Sequence, residues 1–153
     1  MNFIYYIMFF VVFLAAVRRR HYLCGTMMIH KYVLCIGSNA DDQVEKTLWG
    51  LRRLRQSISG TWNASPCLLN EPVDFPYPAP FANIVASLQA DIEADILREH
   101  LKAIEKEAGR CSGDKALGHI VLDIDILCID GCIMRHTDWQ RSYVQRLLSV
   151  LEA

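Results

Sequence analysis

No two of the six cysteines (Cys24, Cys35, Cys67, Cys111, Cys128 and Cys132) form a C-x-x-C pair, and their spacing fits no zinc framework. A disulfide scaffold is not needed either. The chain has 153 residues, 52% of them hydrophobic, which is enough for one domain with a core of its own. Cys35 and Cys128 fall inside apolar strand patterns, where a thiol behaves as a small buried hydrophobe. Reduced thiols in a cytoplasmic protein are therefore expected. Internal repeats are absent, as is any low-complexity stretch beyond an apolar N-terminal head. An excess of basic charge is missing too. The formal net charge is −1, and leaving out residues 1–27 removes Arg18, Arg19 and Arg20 but no acid. The remainder carries 13 basic and 17 acidic residues, a net charge of −4. That balance excludes a typical duplex nucleic-acid binder and leaves room for small anionic ligands held through metal.

Phe3 to Val17 is an uninterrupted apolar run of 15 residues, followed by three arginines. As a helix it would reach about 22 Å, short of a hydrocarbon core of about 30 Å. It has no basic region before it and no small-residue cleavage site after it, so it is a poor secretory signal. Three readings remain for residues 1–27: a short membrane anchor with the arginines on the cytoplasmic side, an atypical signal, or an upstream segment preceding a true start at Met27 or Met28. The third is adopted, because Met28 directly precedes the first good strand. Residues 28–153 then form the domain, and a membrane enters only if residues 3–17 act as an anchor.

Hydrophobic periodicity places the elements. His30 to Ile36 reads as a strand ending at Gly37. Asp41 or Asp42 can cap a helix to about Ser57, with Val44, Leu48, Leu51, Leu54 and Ile58 on one stripe. Thr61 to Leu68 reads as a weaker strand, with Pro66 suggesting an edge or bulge. Asn70 to Pro80 holds four prolines and is a stiffened loop. Phe81 to Ala90 reads as a strand. Ile92 to Ala108 reads as a helix buried through Leu97, Leu101, Ile104 and Ala108 and stopped by Gly109. A Gly- and Ser-containing loop follows, then a strand from Ile120 to Ile129, a turn at Asp130-Gly131 and a final amphipathic helix from Trp139 to Leu151. The order is that of an α+β, ferredoxin-like (βαββαβ) sandwich. It implies an antiparallel sheet with helices on one face, plus an extra C-terminal helix.

Within the last strand, Leu122-Asp123-Ile124-Asp125-Ile126-Leu127 alternates. Val121, Asp123, Asp125 and Leu127 share one face, and Ile120, Leu122, Ile124, Ile126 and Cys128 share the apolar other. The two carboxylates stand about 7 Å apart along the strand. Like charges that close repel, and burying them unpaired is costly. A divalent cation removes that cost, and oxygen ligands with positions left for phosphate point to Mg²⁺. The competing reading is a pair of acids on the solvated face of a half-open sheet.

Four segments in order carry a resemblance. Ile36-Gly37-Ser38-Asn39 closes the first strand, Phe81-Ala82-Asn83 opens the third, Glu105 to Arg110 ends the second helix, and Leu122 to Leu127 forms the fourth strand. Each alone is common. Together, over about residues 29–148, the chain resembles 6-hydroxymethyl-dihydropterin pyrophosphokinase, an enzyme family of folate synthesis. The resemblance implies transfer of a pyrophosphoryl group from ATP to the pterin hydroxymethyl with release of AMP, by a monomer. It implies that Asp123 and Asp125 hold two Mg²⁺ on the ATP phosphates, and that Asn83, with an amide suited to a pterin edge, binds the pterin beside Phe81. Asn70 and Val73 would line the pterin pocket. Glu105 and Arg110 would lie near ATP, and His136 would contact the nucleotide. For each there is a plainer reading: a turn for Asn83, core packing for Phe81, a solvated helix face for Glu105, helix C-terminal compensation for Arg110 and an ordinary surface position for His136.

The chain also departs from the family. Where the family has Trp-Gly-Pro-Arg before the acidic strand, it has Leu117-Gly118-His119-Ile120, so an arginine is replaced by Ile120. A second loop arginine is Ser112, and the later pterin-stacking aromatic falls on Val144, with Trp139 or Tyr143 as substitutes nearby. An arginine at a transferring phosphoryl group is worth roughly 10³–10⁵-fold in related chemistry. If the strand extends backward, His119 shares the face of the two aspartates, and His119 or Lys115 could restore part of the charge. Slow catalysis, ligand binding without turnover, and a tethered scaffold without ligand are the three functional readings.

Overall fold

The computed structural model describes residues 28–71, 79–111, 113 and 118–151. The elements in chain order are β1 (His30–Ser38), α1 (Gln43–Ser57), β2 (Thr61–Ala64), β3 (Leu68–Asn70), β4 (Phe81–Ala90), α2 (Ala94–Glu107), β5 (Asp123–Ile129), β6 (Cys132–Ile133), α3 (His136–Trp139) and α4 (Ser142–Leu151). The sheet runs β2-β4-β1-β5-β6, with β3 also beside β4. The pairings are antiparallel. This is the ferredoxin-like α+β arrangement expected from the sequence.

Alternation along the strands makes two cores. Tyr32, Leu34 and Ile36 of β1, Ile84, Ala86 and Leu88 of β4, and Ile124 and Ile126 of β5 pack against Leu51 and Leu54 of α1 and Leu97, Leu101 and Ile104 of α2. On the opposite face α4 covers one half only, setting Val144, Leu147 and Leu148 on Val85 and Leu127. The other half of that face carries the polar residues considered below.

Several local expectations change. The stripe of α1 is rotated: Val44 and Leu48 are exposed, while Thr47, Gly50, Leu51 and Leu54 are buried. Small residues let the helix approach the sheet. A Cβ on Gly50 would stand 3.1 Å from the Leu122 methyls, and the Thr47 hydroxyl lies 2.7 Å from the Gln43 carbonyl and 3.2 Å from that of Ala82. The strand expected over Thr61 to Leu68 is split. Ser65 still pairs with Val85, through Ser65 N–H to Val85 O (2.9 Å) and Val85 N–H to Ser65 Oγ (3.1 Å). Pro66, with no N–H to give, then interrupts the ladder, and β3 resumes beside the first residues of β4, pairing Asn70 with Phe81. A bulge at Val33/Leu34 sets Cys128 opposite Val33, so strict alternation in β5 ends at Ile126. Asp130 and Gly131 turn with φ of 49° and 85°, the two-residue hairpin geometry that joins β5 to β6. The C-terminal helix is two helices, and the Gln145 amide donates to the Trp139 carbonyl across the break (2.6 Å). No described helix is long and apolar enough to cross a membrane. Residues 1–27, including the run 3–17, lie outside the described residues.

Candidate active site

Two rungs of the sheet set the geometry. Gly37 pairs with Asn83 on one side and Asp123 on the other, and Cys35 pairs with Val85 and Asp125. A Cβ on Gly37 would lie 2.7 Å from Asn83 Oδ1, so the glycine makes room for a polar side chain that is otherwise buried. The next two residues tie down the approach to the acidic strand. Asn39 Nδ2 donates to Gly118 O (2.8 Å), and Ile120 N–H donates to Asn39 Oδ1 (2.6 Å). Ser38 Oγ donates to Val121 O at 2.7 Å. Residues 118–121 are held by these side chains and a single backbone bond, Asn39 N–H to Ile120 O (3.0 Å), rather than by a continuous ladder, and β5 begins at Asp123 and not at Ile120.

Each aspartate holds a guanidinium. Arg110 Nη1 lies 2.5 Å from Asp123 Oδ1 and 2.6 Å from Glu105 Oε2. The other Glu105 oxygen accepts the Ile124 N–H at 2.8 Å. Glu105 sits at the end of α2 and is 9% exposed, so the solvated-face reading is overturned. Burial pushes its carboxyl above the usual carboxylate range and Asp123 adds to this, while the Ile124 N–H and Arg110 pull back. Arg110 is likewise more than a helix-end charge, and Asn83 is a strand residue rather than a turn residue, its amide donating to Asn70 Oδ1 at 2.6 Å. Arg135 Nη2 lies 2.8 Å from Asp125 Oδ1, and its Nη1 is 3.3 Å from Asp138, which also pairs with Arg141 at 3.0 Å. Burial pushes Asp125 up to about 6, with the charge of Asp123 adding and Arg135 opposing.

Two clefts meet at the aspartates. One, of about 430 Å³, is bordered by Arg98, Lys102, Glu105, Arg110 and Met134. The other, of about 250 Å³, is bordered by Gly37, Asn70, Phe81, Asn83, Arg141 and Tyr143. Among the described lining residues, Asp123, Asp125 and Arg135 border both. Cys35 lies at the second cleft. Burial, with Asp125 and Asp123 close by, pushes its thiol up to about 12, which excludes a thiolate nucleophile at neutral pH. Its hydrogen-bond partner is Tyr143, whose hydroxyl is also pushed up by burial.

The structure thus brings together Asp123, Asp125, Asn83, Phe81, Asn70, Glu105 and Arg110. His119 precedes β5, outside its ladder, so the backward extension that would align it with the aspartates does not occur. It borders neither cleft, and neither does His136, the exposed first residue of α3. Val73 and Lys115 lie outside the described residues. Val144 is buried in the second core, while Tyr143 reaches the cleft. Sequence reading missed Arg135, Asp138 and Arg141, as well as Arg98 and Lys102. The visible signal was the cation–anion–cation spacing of three in Arg135-x-x-Asp138-x-x-Arg141. These residues supply positive charge from outside the loop after Gly109.

Among the described residues no group of three or more His, Cys, Asp or Glu is disposed to hold a metal ion. The donor set nonetheless fits Mg²⁺, which takes one or two carboxylates and completes its shell with water and phosphate oxygens. Both aspartates are already compensated by cations, and Asp125 carries the burial that makes an anion costly alone.

A family model described as 7,8-dihydro-6-hydroxymethylpterin-pyrophosphokinase matches residues 33–153. No curated protein matches the chain.

Proposed function

The chain belongs to the 7,8-dihydro-6-hydroxymethylpterin-pyrophosphokinase family, and from that premise we propose that it transfers the terminal diphosphate of ATP to 6-hydroxymethyl-dihydropterin. The observation that carries this reading is the place of Asp123 and Asp125 at the junction of a cation-lined cleft and an amide- and aromatic-lined one. The triphosphate would lie in the first, facing Arg98, Lys102 and Arg110. The pterin would lie in the second. Asn83 and Asn70 offer amide donors and acceptors to the heterocycle edge, and Phe81 and Tyr143 offer rings. The hydroxymethyl oxygen would then approach the β-phosphorus over the aspartates.

In the reaction the hydroxymethyl oxygen bonds to the β-phosphorus, the bridge from β-phosphorus to the α-phosphate oxygen breaks, and AMP leaves with that oxygen while the hydroxyl proton is released. Bound at Asp123 and Asp125, Mg²⁺ (two ions by family resemblance) would neutralise the triphosphate and polarise the β-phosphorus. Glu105 fixes Arg110 against Asp123 and braces the start of β5 through Ile124 N–H. Lys115 is proposed as a further contact to phosphate and Val73 as a wall of the pterin pocket, while His119 and His136, which border neither cleft, are proposed only as contacts to parts of the nucleotide that reach beyond the clefts. His119→Ala with unchanged ATP affinity and turnover removes His119 from that role.

A second reading, binding of pterin or nucleotide without turnover, draws on Ile120, an apolar residue bordering the second cleft where the family has an arginine. AMP formation from ATP, Mg²⁺ and the pterin decides between them. AMP from the wild type and none from Asp123→Ala, Asp125→Ala supports the transferase. A folded wild type that forms no AMP but binds Mg-ATP by calorimetry supports the second reading.

A further inference from the structure

Resting on the transferase reading, we propose that Arg135 is a phosphate-positioning residue held in reserve by acids. When a divalent cation takes Asp125, the guanidinium is freed toward the phosphates at the junction of the clefts.

Arg135 stands between β6 and α3, and of the cationic side chains bordering the clefts among the described residues it alone borders both. Its fork is divided: Nη2 is on Asp125 at 2.8 Å and Nη1 is on Asp138 at 3.3 Å. The side chain is 49% exposed, so the pair with Asp125 is screened and readily exchanged. A cation bound at Asp125 Oδ1 and a guanidinium on the same oxygen compete directly. Asp138 is held independently by Arg141 Nε at 3.0 Å. It therefore stays in place and keeps the released guanidinium at the cleft mouth. Arg110 differs, because its second anchor, Glu105, is buried and bonded to the backbone. A planar fork with spare donors suits phosphate oxygens. The chain carries no arginine at Ser112 or Ile120, so a cation delivered from this loop supplies charge that the loop after Gly109 lacks.

The test uses the full chain and two readouts besides turnover: Mn²⁺ binding without nucleotide, followed by electron paramagnetic resonance, and binding of Mg²⁺ with a non-hydrolysable ATP analogue, by calorimetry. Arg135→Ala and Arg135→Gln are expected to tighten bare Mn²⁺ binding by about twofold to fivefold, the scale of an exposed ion pair. The same variants are expected to weaken the nucleotide analogue by about tenfold, the scale of lost charged hydrogen bonds. Arg135→Lys should lie between wild type and Ala for the nucleotide. A merely structural role would weaken both ligands together. Mn²⁺ affinity that stays level or falls in both variants, or an unchanged nucleotide affinity, overturns the proposal. Asp125→Asn separates the premises. If neither wild type nor Arg135→Ala binds Mn²⁺ in a manner that Asp125→Asn abolishes, the metal reading and the proposal fall together. Opposite-signed shifts in a protein that forms no AMP overturn the transferase reading and leave Arg135 as a nucleotide contact.

Discussion

Gly37 and Asn83 face each other across β1 and β4 so closely that a methyl on the glycine would stand 2.7 Å from the amide oxygen. The glycine of the Gly-Ser-Asn segment is thus a space requirement of the Asn83 amide beside it in the sheet, the amide proposed to meet the pterin. Gly37→Ala should push the Asn83 side chain off its bond to Asn70. We expect pterin affinity to fall about tenfold, as for a lost buried hydrogen bond with its partner stranded. Mg-nucleotide affinity should change little, because the cation-lined cleft lies on the other side of the aspartates. Calorimetry with each ligand separately checks this, and equal losses for both would count against it.

Asn39 carries three hydrogen bonds to the segment before β5, through its side chain to Gly118 O and Ile120 N–H and through its own N–H to Ile120 O (3.0 Å). Asn39→Ala leaves the buried Ile120 N–H and Gly118 O without the side chain they share. The expected cost is about 1–3 kcal/mol of stability, read from urea unfolding. Turnover should fall further than stability alone explains, since residues 118–121 lead directly into Asp123.

Glu105 joins the end of α2 to the acidic strand. Glu105→Ala strands the Ile124 N–H and leaves Arg110 with Asp123 alone, at an expected cost of about 1–3 kcal/mol. Glu105→Gln keeps an acceptor for the N–H and should recover most of that loss. It removes the charge that holds Arg110, so its defect should appear in nucleotide affinity rather than in the unfolding midpoint.

Much of this was legible in the chain. Alternation in β1, β4 and β5 is strict over the segments that carry the site, so the sequence alone places Asp123 and Asp125 on one face and bounds β4 at Phe81 and Ala90. The rotation of α1 was not legible, because Val44 and Leu48 match the apolar period as well as Thr47 and Gly50 fail to. Only the sheet decides that small residues face inward. Glu105 looked like any helix-surface acid until β5 supplied an N–H for it. Arg135 and Arg141 lie beyond the last strong motif, Arg135 in a stretch given no element and Arg141 within the expected helix from Trp139, and the hairpin at Asp130-Gly131 is what folds them back over Asp125. The backward extension that would align His119 with the aspartates does not form, because its neighbours are tied to Ser38 and Asn39.

The carboxyl of Asp125, pushed up to about 6 by burial and by Asp123, gives a pH dependence with a definite sign. Its unfolded-state value is about 3.9. Below about pH 4 both states hold the proton and the group contributes nothing. Between about 4 and 6 the folded state keeps a proton that the unfolded state has lost, so stability falls as pH rises. Above about 6 the full penalty is present, at most about 3 kcal/mol. Asp125→Asn should remove this slope: the unfolding free energies of wild type and variant converge near pH 4 and separate by pH 7, with the variant more stable. Added Mg²⁺ should reverse the order at pH 7 by stabilising the wild type alone, and that stabilisation should fade as protons compete for the carboxylate below about pH 6. Urea unfolding at pH 4, 5, 6 and 7, with and without Mg²⁺, measures all of it. Parallel curves for the two proteins would mean that Asp125 ionises without penalty, and that relieving its burial is not what a cation contributes at this site.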